Sequence, residues 1–369
     1  MTRPAPLPLA DIFLAVMLGG SITACDQYPR NPHVAGTSST GGTGGGWGQG
    51  GSTAWYLDLH GGTTSDANHV IGLDPNGSAT VVVDIPTTVP SGDALTLPRG
   101  MCLLPDGSLL VVSAFKDDTQ ILRYGVADVN GRRPFDSVFV HGGLANPSLQ
   151  HPYEIEVGPD GNVYAANQDT QTITRYAGLH ATTPGVPLPA PAGSDAALAG
   201  AGIGVIVPSA KMSANGLDTP RGITFGPDGL LYAVDRDARI TAWDPSTGRQ
   251  VRVVVDQADG VQKAIQAHFL AGTDTMLIGD RGAKTVWKTT SRGGAVQRFL
   301  PESVKIEEPS IVTSDSQWVY VGDRATKSIR RFHLGSGQPE PGTPWVEKLP
   351  DPPEFLIRAS VGRPVRPGR

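Results

Sequence analysis

Two arginines in this chain stand in the same tripeptide, Pro98-Arg99-Gly100 and Pro220-Arg221-Gly222. A guanidinium presents a planar fork of donors that matches a carboxylate, uronate or phosphate, so two of them in one setting point to anion recognition. The corresponding positions elsewhere in the sequence hold Tyr153, Gln266, Ser310 and Glu354, with Glu154 one residue further on and His151 just ahead. That mixture suits hydrogen bonding and charge pairing. It does not suit a metal that activates water, because only Glu354 offers a carboxylate in step and the arginines repel a cation. His60, His141, His151 and His268 fall in or near apolar strand patterns, and only His151 sits clearly where the other candidates gather. No Gly-x-Ser-x-Gly elbow, phosphate loop or Cys/His nucleophile arrangement appears. No cofactor is expected.

What makes these positions correspond is an internal repeat. The segments "LPRGMCLLPDGSLLVVSAFKDDTQILRY" (97–124), "HPYEIEVGPDGNVYAANQDTQTITRY" (151–176) and "TPRGITFGPDGLLYAVDRDARITAW" (219–243) share one plan. Two weaker copies follow at 265–287 and 308–332. Each reads as an apolar strand, a polar turn, a second strand, a polar loop and a third strand ending in an aromatic: Tyr124, Tyr176, Trp243, Trp287 or Phe332. A fourth strand is expected after each, in "DSVFVHG", "IGVIVPS", "QVRVVVDQ", "AVQRFLP" and "TPWVEKL". Later copies start 44 or 45 residues apart and earlier ones 54 and 68, the excess lying in insertions such as the Pro/Ala/Gly-rich stretch 180–203. About 45 residues in four strands is the size of a propeller blade.

The ends of the chain supply one more blade. "AWYLDLHG", "HVIGLD" and "ATVVVDI" read as second, third and fourth strands, and "DPPEFLIRAS" (351–360) as a first strand with nothing after it. Joined, they close a ring of six and remove its exposed edges. The expected fold is therefore all-β, a six-bladed β-propeller of four-stranded antiparallel blades over residues 54–360. Forty-seven glycines, 32 prolines and only 18% charged residues fit many turns between short strands.

Other recurring residues have local explanations. In Pro105-Asp-Gly107, Pro159-Asp-Gly161 and Pro227-Asp-Gly229, proline presets φ, aspartate caps backbone amides and glycine accepts a positive φ. One carboxylate per turn is too few for calcium. Asp235-Arg236, Asp280-Arg281 and Asp323-Arg324 follow second strands. Their aspartates are expected to bond turn amides and their arginines to span to the next blade; the alternative is a ring of charge facing a partner. Cys102 sits in an apolar strand pattern and is read as a small core residue.

The motifs Pro220-Arg-Gly-Ile, Gly226-Pro-Asp-Gly229, Leu231-Tyr-Ala-Val-Asp235 and Ile240-Thr-Ala-Trp243, with their counterparts, resemble the NHL-repeat and SMP-30/gluconolactonase-like propellers over roughly residues 52–360. The resemblance implies a six-bladed ring whose first strands line a central channel. In the SMP-30-like hydrolases, matching strands hold a divalent metal through a Glu, two Asn and an Asp. Here Glu354 alone matches by type and Glu154 is one position off. The architecture hosts lactonases, lyases and non-catalytic scaffolds alike.

The N-terminus supplies an address. Arg3 precedes the apolar run Ile12–Leu18, followed by Gly19 to Cys25, and Ile22-Thr-Ala-Cys25 resembles a bacterial lipobox. Residues 1–24 then read as a lipoprotein signal peptide and Cys25 as the lipidation site. Residues 25–53 read as a Gly/Ser/Thr-rich tether with a random-coil reach of roughly 30 Å, and 361–369 as a flexible tail. Cys102 would be the only thiol left, so no intramolecular disulfide is expected. The net charge of −5 shows no basic block that would suggest nucleic acid. The reading is a monomer tethered in the bacterial cell envelope, on its periplasmic or outer surface, that binds a small anionic ligand or an extracytoplasmic protein partner at the channel mouth. The alternative is a lactonase- or lyase-type enzyme with a non-standard site.

Overall fold

A computed structural model describes residues 53–61, 68–84, 97–114, 119–237, 239–342 and 344–359. All lie in one of the chain's two compact units. The expected leader, Cys25, nearly all of the expected tether and the expected tail lie outside the described residues. The described chain is almost entirely β and forms six antiparallel blades. Blade one contains Pro98–Leu103, Leu109–Ser113, Gln120–Tyr124 and Phe135–His141. Blade two contains Pro152–Val157, Val163–Asn167, Thr172–Tyr176 and Val205–Val207. Pro220–Phe225, Ala264–Phe269 and Pro309–Ser314 begin blades three, four and five. Pro353–Arg358 pairs with Trp55–Leu59, so the ends of the sequence complete the sixth, closing blade as the repeat required. The six first strands touch one another in order, and the last touches the first.

The apolar side chains fall into six clusters, one at each junction between neighbouring blades. Consecutive residues of one strand feed opposite junctions. Leu109 and Val111 pack toward the closing blade, while Leu110 and Val112 pack toward blade two. A strand sandwiched in this way is buried on both faces, which is why the second strands read as unbroken apolar runs such as Leu109-Leu-Val-Val112.

Two expected features take a different form. "TPWVEKL" is no regular strand: blade five has three strands, and its fourth place is filled by isolated bridges, Ile329 to Val346 and Phe332 to Pro339. Pro339, Pro341 and Pro344 supply no amide there, so a continuous ladder cannot form. The 180–203 insertion is a packed brace. The Arg175 guanidinium donates to the carbonyls of Pro189 and Pro245, and the Ser194 hydroxyl to that of Thr247, tying the insertion to the turn after the third strand of blade three.

Leu57 is fully enclosed between blade five and the closing blade, among Ile311, Tyr320 and Leu356. Leu57→Ala is expected to cost about 2–5 kcal/mol of stability, as cavity-forming substitutions do, read from the shift in the urea midpoint. A midpoint unchanged within error would mean that the junction does not hold the ring shut.

Candidate functional site

Every first strand carries a β-bulge within two residues of its proline-like residue. The register slips between Arg99 and Met101, Pro152 and Glu154, Pro220 and Gly222, Ala264 and Gln266, and Pro309 and Val312, and opposite Glu354 in the closing blade. A bulge swings a residue out of the ladder and re-aims its side chain. The residues left out of the ladder are Gly100, Tyr153, Arg221, Ile265, Ser310 with Ile311, and Glu354, while Arg99 stays paired opposite Val112 directly before its bulge. Gln266 is thus one step further along than the sequence comparison placed it, because Ala264 takes the proline position and Ile265 the bulge. Glycine follows both arginines because neighbouring strands come very close: a Cβ on Gly100 would lie 2.8 Å from the Cα of Glu154, and one on Gly222 3.0 Å from its Oε2.

A second ring stands beside the first. One residue past each second strand, the backbone amide donates to a carbonyl just ahead of the first strand: His60 to Pro352, Ala114 to Leu97, Gln168 to His151, Arg236 to Thr219, Arg281 to Lys263 and Arg324 to Glu308. The aspartate before each of the three arginines fixes this geometry. Asp235 accepts from the amides of Asp218 and Thr219, Asp280 from Gln262 and Lys263, and Asp323 from Glu307 and Glu308. The aspartates therefore do as expected, but their arginines belong to the mouth. Arg281, Arg324 and His60 were missed as site residues. The signal was present, since all three occupy one position of the repeat.

The two rings meet around Tyr153 and Glu354. Glu354 is fully buried; its carboxylate is ion-paired with Arg324, accepts from the Tyr153 hydroxyl at 3.0 Å and lies 2.5 Å from His60 Nδ1. Arg221 lies over the Tyr153 ring at 4.4 Å and Arg99 at 6.0 Å. Arg99 also donates to the carbonyls of His60 and Pro98 at 2.6 and 2.7 Å. Burial works to raise the Tyr153 phenol, but Arg221, Arg324, Arg99 and Arg281 together outweigh it and hold the group below its ordinary value. Burial, then Arg99 and Arg324, push the His60 imidazole down to about 4, and Arg324 already answers the nearby Glu354 charge, so His60 is neutral. His151 is lowered by burial and by Arg99 and Arg221, although Asp169 at 3.3 Å opposes this.

Other residues of the first strands tie the blades together around the axis. Ile265 joins the apolar cluster that holds Tyr153 and Phe355. The Glu154 carboxyl accepts from Gln266 Nε2 and the Ile223 amide, both at 2.9 Å, and Gln266 Oε1 accepts from the Val312 amide at 2.7 Å. These two residues bind first strands to one another and are not exposed to the mouth. Ser310 is buried, and its hydroxyl has no partner among the described residues. Cys102 is enclosed in the core between blades one and two, and burial pushes its thiol up. Two surface clefts of about 360 and 400 Å³ contain none of the mouth residues. No group of three or more His, Cys, Asp or Glu among the described residues is arranged to hold a metal.

No protein-family model matches the chain, and no curated protein does. Solved structures do. A chain from the crystal structure of a nidogen/laminin complex is 16% identical with a TM-score of 0.57, covering 83% of this chain and 98% of that one. A candidate 6-phosphogluconolactonase from Bacteroides fragilis is 12% identical with a TM-score of 0.52, over the same shares. At such identities the likeness is one of fold. The protein is a six-bladed β-propeller.

Glu154 keeps some exposure as a residue, yet its carboxyl is enclosed, and burial raises it to about 8. Burial likewise raises Asp58 to about 7 and Glu156 well upward. The folded protein therefore keeps protons that the unfolded chain releases above about pH 4, so this contribution to stability falls as pH rises from about 4.5 to 8. Glu154→Gln removes one such group. It is expected to shrink the difference in stability between pH 5 and pH 8 by on the order of 1–3 kcal/mol, measured by urea unfolding at both values. A variant that loses stability equally at both would show that the wild-type carboxyl is ionised throughout.

Proposed function

We propose that the protein is a membrane-tethered, extracytoplasmic propeller that binds an anionic ligand or partner at the mouth of its axis. The observation that carries this reading is the convergence of Arg99, Arg221, Arg281 and Arg324 on Tyr153, where, among the described residues, the one fully buried carboxylate ion-paired with any of these guanidiniums is that of Glu354. Guanidiniums gathered in a partly dry site repel one another, and an anion entering the rim relieves that repulsion. Arg221 shows the imbalance directly: after burial and an opposing pull from Tyr153, it is lowered further by Arg236, Arg281 and Arg99.

The residue types at the bulges support binding over metal-assisted hydrolysis. Where a metal-dependent relative would need a set of carboxylates and amides, this rim offers arginines, a phenol, an isoleucine, a serine and one carboxylate, Glu354, that is already ion-paired with Arg324. The nidogen/laminin structure is an assembly in which a protein of this fold takes part, which is compatible with a binding role. The tether is inferred from Cys25 in its lipobox-like setting and the glycine-rich segment after it.

Arg99→Ala and Arg221→Ala are each expected to weaken binding of an anionic ligand at least tenfold, as loss of a charged hydrogen-bonding partner does. Calorimetry with gluconate, glucuronate and phosphate, on variants checked for unchanged melting, measures this. If both variants bind every such anion as the wild type does, the mouth is not the site. Replacing Cys25 by Ala should move the protein from the membrane pellet to the soluble fraction, and continued sedimentation with membranes would sink the lipid anchor.

A further inference from the structure

The guanidiniums at the rim differ in how their charge is answered. Arg324 is ion-paired with Glu354 and lies 3.8 Å from Glu308. Arg99 donates only to carbonyl oxygens, and Arg221 rests on the ring of Tyr153. Neither Arg221 nor Arg281 has an ion-pair partner among the described residues. Arg281 differs from the others in one further respect. Its Nε and Nη2, the two donors along one edge of the fork, are enclosed and have no hydrogen-bond partner among the described residues. The Nε atoms of Arg99 and Arg221 are in the same condition. Enclosed donors left unmade cost about 1–3 kcal/mol each, and more for charged groups. The charge of Arg281 acts on Tyr153, His60, Arg221 and Arg324, so its head group belongs to the same cluster.

The mouth therefore holds two guanidiniums, Arg221 and Arg281, with no acid partner among the described residues, carried on blades three and four and so approaching from different sides. Asp58 and Asp351 oppose the charge of Arg99. A monocarboxylate brings one charge and a flat pair of oxygens. The terminal phosphate of a monoester brings a charge of about −1.5 to −2 near neutral pH and three acceptor oxygens in a tripod. We propose that the mouth is a receptor for the dianionic phosphate of a phosphomonoester, with the free edge of Arg281 gripping two of its oxygens. This deepens the anion-binding reading and rests on it. A guanidinium edge is matched to two oxygens of one phosphate, which a lysine ammonium at the same place cannot reproduce.

Three probes separate charge from shape: methyl phosphate, methyl sulfate with the same tripod but a single charge, and malonate with two charges on flat carboxylates. Calorimetry on the purified wild-type protein at pH 7.5 is expected to show methyl phosphate binding at least tenfold tighter than either of the others. Arg281→Lys, which keeps the charge and loses the fork, should reduce that preference to within threefold. Methyl sulfate binding as tightly as methyl phosphate would overturn the charge argument. Malonate binding as tightly or tighter would overturn the phosphate while leaving the anion-binding reading intact. If none of the three binds, and gluconate and glucuronate do not either, both readings fall. An Arg281→Lys variant with undiminished preference would overturn the role given to Arg281, and the wild-type comparison stands even if the variant does not fold. Retention on vesicles of phosphatidic acid, competed by methyl phosphate, would support the proposal with a lipid as the source. Binding of methyl phosphate without such retention would support it with a soluble one.

Discussion

A buried carboxylate gripping two successive backbone amides decides where the first strands of blades three, four and five begin. Asp235, Asp280 and Asp323 each hold the two amides leading into their own blade's first strand. Hydrogen bonds from neutral donors to an ionised acceptor are stronger than neutral pairs, and inside a protein they are stronger still. Once the entry is pinned, the bulge that follows has one place to fall, and the residue it releases can only face the axis. The arginine beside each clamp is carried to the same rim by the chain direction alone. Fold and site are thus set by one device used repeatedly.

The acids around the axis stand in two kinds of setting. Glu354 sits among the guanidiniums and is ion-paired with Arg324. Burial instead favours protonation of Glu154, Glu156 and Asp58, raising Glu154 to about 8 and Asp58 to about 7. A neutral carboxyl can link strands, as Glu154 does with Gln266 and Ile223, without opposing the rim with a compensating negative charge.

The ring was legible in the sequence because each blade repeats the same alternation of apolar strand and polar turn, and the two incomplete ends complement one another. Arg99, Tyr153, Arg221 and Glu354 followed from that alignment. The bulges did not, since an extra residue in a ladder leaves no mark in hydropathy, and this is why Gln266 was placed one step out. Arg281 and Arg324 were hidden in loops that a self-contained turn explained well enough. His60 was harder still: its place in the repeat emerges only when the closing blade is assembled from both ends of the chain. In blade five the apolar pattern of "TPWVEKL" suggested a strand, and the prolines around it decided otherwise.

The pairing of Trp55–Leu59 with Pro353–Arg358 also sets a schedule. The Phe355 amide bonds the carboxylate of Asp58 across 297 residues of chain. No part of that contact can form while the polypeptide is still emerging from its N-terminal end. Until the last strand arrives, Trp55–Leu59 presents an unpaired edge and leaves the carboxyl of Asp58 without its Phe355 amide. Contacts this distant in sequence make closure slow and late. The propeller is therefore a ring that can close only after its last strand, Pro353–Arg358, has been made.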